Sequence, residues 1–281
     1  MGEYIELTKP RITWLILMST GVGYFFGARS GWHWVTLLHT MFGTGLIASG
    51  TAALNQWYER DADSKMRRTM ARPLPSGRIS TGRALWFASV LSALGFLELA
   101  VAVNLLSALL GLFTLVSYLF VYTPLKQRSP HSTTIGAIPG AMPPLIGYAA
   151  ASDNLSWEAW VLFAILFLWQ FPHFYAIAWM YREDYERAGI RMLPVVEPDG
   201  QSTAHHILLY MLLLLPISLL HLMHLRRHAW ARSGTVGEDE VGDPDLAFEC
   251  MAVEGAAVLI GQFKCWDDAI GLQFGGVALA G

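Results

Sequence analysis

Asn55, Glu59 and Asp63 stand four residues apart, where an apolar run gives way to a polar one. If one helix carries all three, they fall within roughly 80° of arc, because each residue turns about 100°. One helical face then presents an amide and two carboxylates, and Asp61 points elsewhere. Carboxylates side by side repel unless a cation lies between them. An all-oxygen set of this kind suits Mg²⁺, which usually takes only one or two carboxylates and fills its other positions with water and phosphate oxygens. Residues 55–75 hold three carboxylates and five cationic side chains. Of the cations, Lys65, Arg67, Arg68 and Arg72 could clamp phosphate beside the metal. A solvated basic loop is the plainer reading of the cations alone. It leaves the acidic face unexplained, since carboxylates at a membrane edge are costly and mark function.

A second polar group follows about 110 residues later. Trp169-Gln-Phe-Pro-His173-Phe lies inside an apolar run, and Tyr181-Arg-Glu-Asp-Tyr-Glu-Arg187 closes it. Glu183 and Asp184 could serve a second Mg²⁺ or share the first, while Arg182 and Arg187 could touch phosphate. The alternative is an interfacial belt of Tyr, Trp and Arg. His173 is either a satisfied core residue or, set among aromatics such as Trp169, a porphyrin contact or iron ligand.

The elements that must position these groups are membrane helices. The chain has 281 residues, 54% hydrophobic and 15% charged, against about 25% charge in soluble domains. Apolar runs at about 12–28, 34–57, 84–103, 105–122, 135–151, 157–180 and 206–225 approach the roughly 20 residues a helix needs to cross the hydrocarbon core. The expected fold is an all-α, polytopic transmembrane helix bundle with about seven spans. Pro139, Pro143 and Pro144 predict a kink in the fifth. The start carries Glu3 and Glu6 and leads into a full-length run, unlike a signal peptide. Lys9 and Arg11, residues 60–83, Lys126 with Arg128, and Arg182 to Arg191 recur on alternate connections. The positive-inside rule puts the N-terminus and these loops in the cytoplasm. The two cysteines, Cys250 and Cys265, form no metal motif, and no nucleic-acid partner is expected.

The chain resembles the UbiA-type membrane prenyltransferases, and among them the protohaem IX farnesyltransferases. The similarity lies in Tyr4-Ile-Glu-Leu-Thr-Lys-Pro-Arg-Ile-Thr13, in Asn55 to Pro75, in Tyr122-Thr-Pro-Leu-Lys126, in Ile135 to Gly147, in Trp169-Gln-Phe-Pro-His-Phe174 and in Asp184-Tyr-Glu-Arg-Ala-Gly-Ile-Arg-Met-Leu-Pro194. The resemblance implies transfer of farnesyl from farnesyl diphosphate to the 2-vinyl group of haem B, with addition of water, giving haem O and diphosphate. It implies Mg²⁺ as cofactor, held by Asn55, Glu59 and Asp63 with Glu183 and Asp184. Asn55, Glu59, Asp63 and Asp184 would be catalytic, and Arg67, Arg68 and Arg72 would meet either diphosphate or haem propionates. It also implies a bacterial inner membrane, with haem A synthase or terminal oxidase assembly as partners. Glu59 stands where many relatives have aspartate, which keeps the charge and changes the reach. The alternatives are a UbiA-type enzyme acting on an aromatic or quinone precursor, and a non-catalytic haem carrier or membrane assembly factor.

The membrane prenyltransferase domain is expected over 1–220. From 221 to 281 the text turns divergent: His221, His224, His228, Arg226, Arg227 and Arg232 cluster, and residues 234–245 are acidic and Gly-rich. A reading frame broken near residue 221 is the expectation there.

Overall fold

The computed structural model describes residues 2–28, 31–197 and 199–233, with side chains as far as residue 220. Contacts divide the chain into two units, Met1–Leu219 and Leu220–Gly281. The expected tail beyond 221 lies outside the described side chains, and beyond 233 outside the described residues.

The described secondary structure is helical throughout: α1 (Gly2–Leu7), α2 (Pro10–Gly27), α3 (Trp34–Asp63), α4 (Thr81–Ala102), α5 (Leu105–Val116), a π-helical segment (Ser117–Tyr122), α6 (Thr123–Leu125), α7 (Ser132–Gly140), α8 (Pro143–Ser152), α9 (Trp157–Met180), α10 (Arg182–Arg187), α11 (Leu193–Val196) and α12 (Gln201–Ser233). Among the described residues, five helices are long and apolar enough to cross a membrane: Trp34–Asp63, Thr81–Ala102, Leu105–Leu125, Trp157–Met180 and Gln201–Leu220. This is fewer than the seven expected from the sequence. The run at 12–28 becomes α2, whose 18 residues open on Pro10 and Arg11 and carry several Gly, Ser and Thr. The run at 135–151 does not form one helix. Pro139, Pro143 and Pro144 withhold three N–H donors, and the chain breaks at Ala141–Met142 into α7 and α8.

The short half-helix α8 forms the centre of the bundle. Residues Pro143 to Ala150 are all buried, packed by α2, α3, α5 and α9. Glycine lets the backbones close: a Cβ on Gly147 would lie 1.9 Å from the Thr20 carbonyl oxygen, and one on Gly23 2.0 Å from that of Pro144. Small residues govern the α3–α4 contact in the same way, with Gly50 set against Ser92 and the Ala88 carbonyl. The outer surface is greasy. Trp14, Trp34, Phe42, Trp86, Leu97, Val101, Phe120 and Trp157 are all exposed. A belt of that size would be unsolvated in water and is at home in lipid. The chain is an integral membrane protein.

Candidate active site

Helix α3 is built in two parts. Trp34 to Leu54 is largely apolar, and the last stretch, from Asn55 to Asp63, is mostly polar. The helix runs unbroken through Asp63, so the amide and both carboxylates do share a face. Asn55 is 2% exposed and Asp63 1%, and burial of this degree requires partners. The Asn55 amide nitrogen donates to Glu59 Oε2 at 3.0 Å and to Thr123 Oγ1 at 3.3 Å. Its oxygen receives Lys9 Nζ at 3.5 Å. Glu59 Oε1 accepts from Lys126 Nζ at 2.8 Å. Arg72 Nη1 donates to both oxygens of Asp63, at 2.9 and 2.8 Å.

Each cation arrives from a different connection. Lys9 joins α1 to α2 in a left-handed conformation, φ 48°, with Pro10 opening the next helix. Burial, and then the neighbouring Arg72 and Lys126 charges, lower its pKa to about 8. Lys126 follows the π-helical segment. The wider winding there carries Thr123 Oγ1 back to the Tyr118 carbonyl at 2.8 Å. π-Helical turns of this kind concentrate at functional sites. Burial would pull the Lys126 ammonium down, but Glu59 outweighs it and holds the pKa well above the usual lysine range. Lys126 Nζ also lies 4.6 Å from the centre of the Tyr122 ring, and that ring fills the notch at Gly136. Arg72 is returned to Asp63 by a loop wound on itself: Thr69 Oγ1 donates to the Asp63 carbonyl at 2.8 Å, and Leu74 and Ile79 anchor the far end.

Asp184 meets the same end of the bundle. The Arg67 backbone N–H donates to its Oδ1 at 3.4 Å, and Arg187 pairs with it. Beneath them Ala62, Met66, Ala178, Ala188, Ile190 and Met192 form one apolar cluster that fixes the two loops together. The Arg191 N–H donates to the Lys126 carbonyl at 2.8 Å, so the third connection joins the other two. The structure thus gathers Asn55, Glu59, Asp63, Asp184, Arg72 and Arg187 at one mouth.

Other residues expected from the sequence stand apart. Glu183 is exposed, as are Lys65, Arg67 and Arg68. Arg68 lies over the Tyr181 ring at 4.8 Å. Arg182 covers Trp179 at 4.7 Å and donates to its carbonyl. Asp61 is 85% exposed beside Arg60, off the shared face as expected. Trp169 and His173 stack, centroids 4.8 Å apart and planes 17° from parallel, half-buried along α9. Lys9, Lys126 and Thr123 were not singled out as site residues by sequence. Lys9 and Lys126 served only as markers of topology, although both lie inside the resembling segments.

The donor set is oxygen only, an amide and carboxylates, and this fits a hard divalent cation that takes its remaining ligands from water and phosphate. Among the described residues no three His, Cys, Asp or Glu side chains are grouped so that they could hold a metal ion. The carboxylates are instead matched one by one with cations, and Lys9 adds a positive charge beyond balance.

The chain is similar to known proteins over most of its length. The model of the UbiA prenyltransferase family matches residues 16–236. A protein named protoheme IX farnesyltransferase from Solibacter usitatus (strain Ellin6076) is 67% identical over 228 residues, 78% of each chain. One of the same name from Koribacter versatilis (strain Ellin345) is 54% identical over 78% of this chain and 72% of its own. Among solved structures, a UbiA homolog from Archaeoglobus fulgidus bound to DMAPP and Mg²⁺ superposes with TM-score 0.63 at 17% identity, over 93% of this chain and 86% of that one. Digeranylgeranylglyceryl phosphate synthase gives 0.65 at 19%, over 79% and 77%. These two establish the fold. From the family match and the identity of its relatives, the chain belongs to the UbiA prenyltransferase family.

Proposed function

We propose that the chain transfers farnesyl from farnesyl diphosphate to the 2-vinyl group of haem B, giving haem O. The observation that carries this reading is the convergence of Lys9, Arg72 and Lys126 on Asn55, Glu59 and Asp63 at one mouth of an apolar bundle. That mouth is built for a charged diphosphate head, and the bundle for an isoprenoid tail. The haem acceptor follows from likeness to relatives named for it.

In the reaction the C–O bond of farnesyl diphosphate breaks. A C–C bond forms to the terminal vinyl carbon, and water adds at the inner one with loss of a proton. Bound Mg²⁺ would be held by Asn55, Glu59, Asp63 and Asp184 and would neutralise the departing diphosphate. Lys9, Lys126 and Arg72 are the cations within reach of the same oxygens and would bear charge as it develops. Aromatic rings of the bundle such as Tyr175 would stabilise developing positive charge on carbon through their faces. The surrounding apolar side chains keep stray water from that carbon. Trp169 and His173, stacked on one another along α9, would form the haem contact, His173 either against the porphyrin or as a ligand to its iron. The exposed Arg67, Arg68, Lys65, Arg182 and Arg187 would meet propionates or guide the incoming diphosphate, and Glu183 would attract a second Mg²⁺. The mouth faces the cytoplasm of a bacterial cell, and haem O passes to haem A synthase or oxidase assembly.

Competition for farnesyl diphosphate tests the acceptor. Purified protein offered haem B and 4-hydroxybenzoate together should prenylate haem B; prenylated benzoate as the main product would assign the chain to the quinone-precursor branch.

A further inference from the structure

In the bundle mouth each buried carboxylate that could take a metal is already paired with a cation. Arg72 occupies both oxygens of Asp63, whose side chain is 1% exposed, and Lys126 occupies Glu59, with side chains 15% and 12% exposed. A divalent cation entering alone would displace them and leave an ammonium and a guanidinium buried without counterions. Breaking such a pair is strongly unfavourable. Diphosphate entering alone would meet Glu59 and Asp63 as like charges. Entering together, the two relieve each other: the metal takes the carboxylates while Lys126 and Arg72 turn to phosphate oxygens.

Resting on the farnesyl-transfer reading, we infer that Lys126 and Arg72 act as resident counterions that exchange from Glu59 and Asp63 to the diphosphate, so that metal and diphosphate bind as one coupled unit. Lys9 sits beside both cations as the surplus positive charge that makes the exchange favourable. Its Nζ contacts the Asn55 amide oxygen. The coupling belongs to this pairing of charges and is distinct from a role of either residue as a plain phosphate ligand.

The two roles part in one measurement. Mn²⁺ binding to the full-length protein in detergent is followed by electron paramagnetic resonance, alone and with inorganic pyrophosphate, against a protein-free control that accounts for Mn²⁺–pyrophosphate association. In the unaltered protein pyrophosphate should tighten Mn²⁺ binding about tenfold or more beyond that control, within the range usual for coupled sites. Lys126→Gln should invert the pattern: Mn²⁺ alone binds tighter than in the unaltered protein, and the pyrophosphate effect shrinks. Arg72→Gln should move the same way and serves if Lys126→Gln does not fold. Mn²⁺ affinity that is unchanged or weaker in both variants without pyrophosphate would overturn the counterion exchange and leave the enzyme reading standing. No Mn²⁺ binding under any condition would overturn the metal site itself, and the exchange with it.

Discussion

Arg72 closes over both oxygens of Asp63 nine residues before it, at 2.9 and 2.8 Å, at the point where a membrane helix hands over to its polar loop. The pair fixes the loop's return and occupies a carboxylate that the chemistry needs. Arg72→Ala strands a buried charge and should cost about 3–5 kcal/mol, seen as a lower unfolding temperature in detergent. Converting both residues, Asp63→Asn with Arg72→Gln, should recover much of that stability and none of the activity. A double variant no more stable than Arg72→Ala would refute the pairing.

The α2–α8 crossing gives a second expectation. Gly147→Ala pushes a methyl into the Thr20 carbonyl oxygen, which is backbone and cannot swing aside. Overpacking of this kind costs about 1–3 kcal/mol. Gly82→Ala, with nothing within 4 Å, should be neutral or slightly stabilising. Equal unfolding temperatures for the two variants would contradict the close crossing.

Lys9 sets a pH dependence. Its pKa is lowered from 10.5 to about 8, by burial first and then by Arg72 and Lys126. A lysine depressed on folding binds fewer protons folded than unfolded between these values. Its contribution to stability therefore grows as pH rises from about 8 toward 10.5 and is lost as pH falls through 8. Anion binding runs the opposite way, because it needs the ammonium. Pyrophosphate affinity measured by calorimetry should fall as pH rises above about 8. Lys9→Met should bind more weakly and lose that decline, the ligand's own titration being common to both. Parallel pH profiles would exclude Lys9 from the anion site.

The Trp169–His173 stack should govern haem and leave the anion site alone. Trp169→Ala removes an aromatic contact worth about 0.5–1.5 kcal/mol, and His173→Ala should alter the absorption spectrum of bound haem B. Neither should change pyrophosphate-dependent Mn²⁺ binding. An unaltered haem spectrum in His173→Ala would remove His173 from the iron.

The acidic face of α3 was legible in the sequence because Asn55, Glu59 and Asp63 repeat at the period of a helix. A kink near 139–144 was legible because Pro139, Pro143 and Pro144 each withhold an N–H, but the full break into α7 and α8 was not. Lys9 and Lys126 were not, since their partners lie 46 and 67 residues away and no local period encodes such contacts. The π-helical turn left no mark either: Ser117 to Tyr122 has the composition of an ordinary apolar helix. Glu183 and Asp184 looked alike as neighbours in sequence, yet one helix step apart means about 100° of turn. Asp184 faces the Arg67 loop while Glu183 faces out. The family match reaches residue 236, past the point near 221 where the sequence text changes. Translating the underlying DNA in its other two frames should restore apolar spans downstream, and failure of both frames would retire the idea of a frame break.

Product formation in membranes carrying the chain tests the central reaction most directly. With haem B, farnesyl diphosphate and Mg²⁺, mass spectrometry should reveal haem O, heavier than haem B by one farnesyl group and one hydroxyl group. Chelator or Asp63→Ala should abolish it. Haem B left unmodified under the complete conditions, or haem O formed equally well by Asp63→Ala, would contradict a farnesyl transfer run from the mouth of α3.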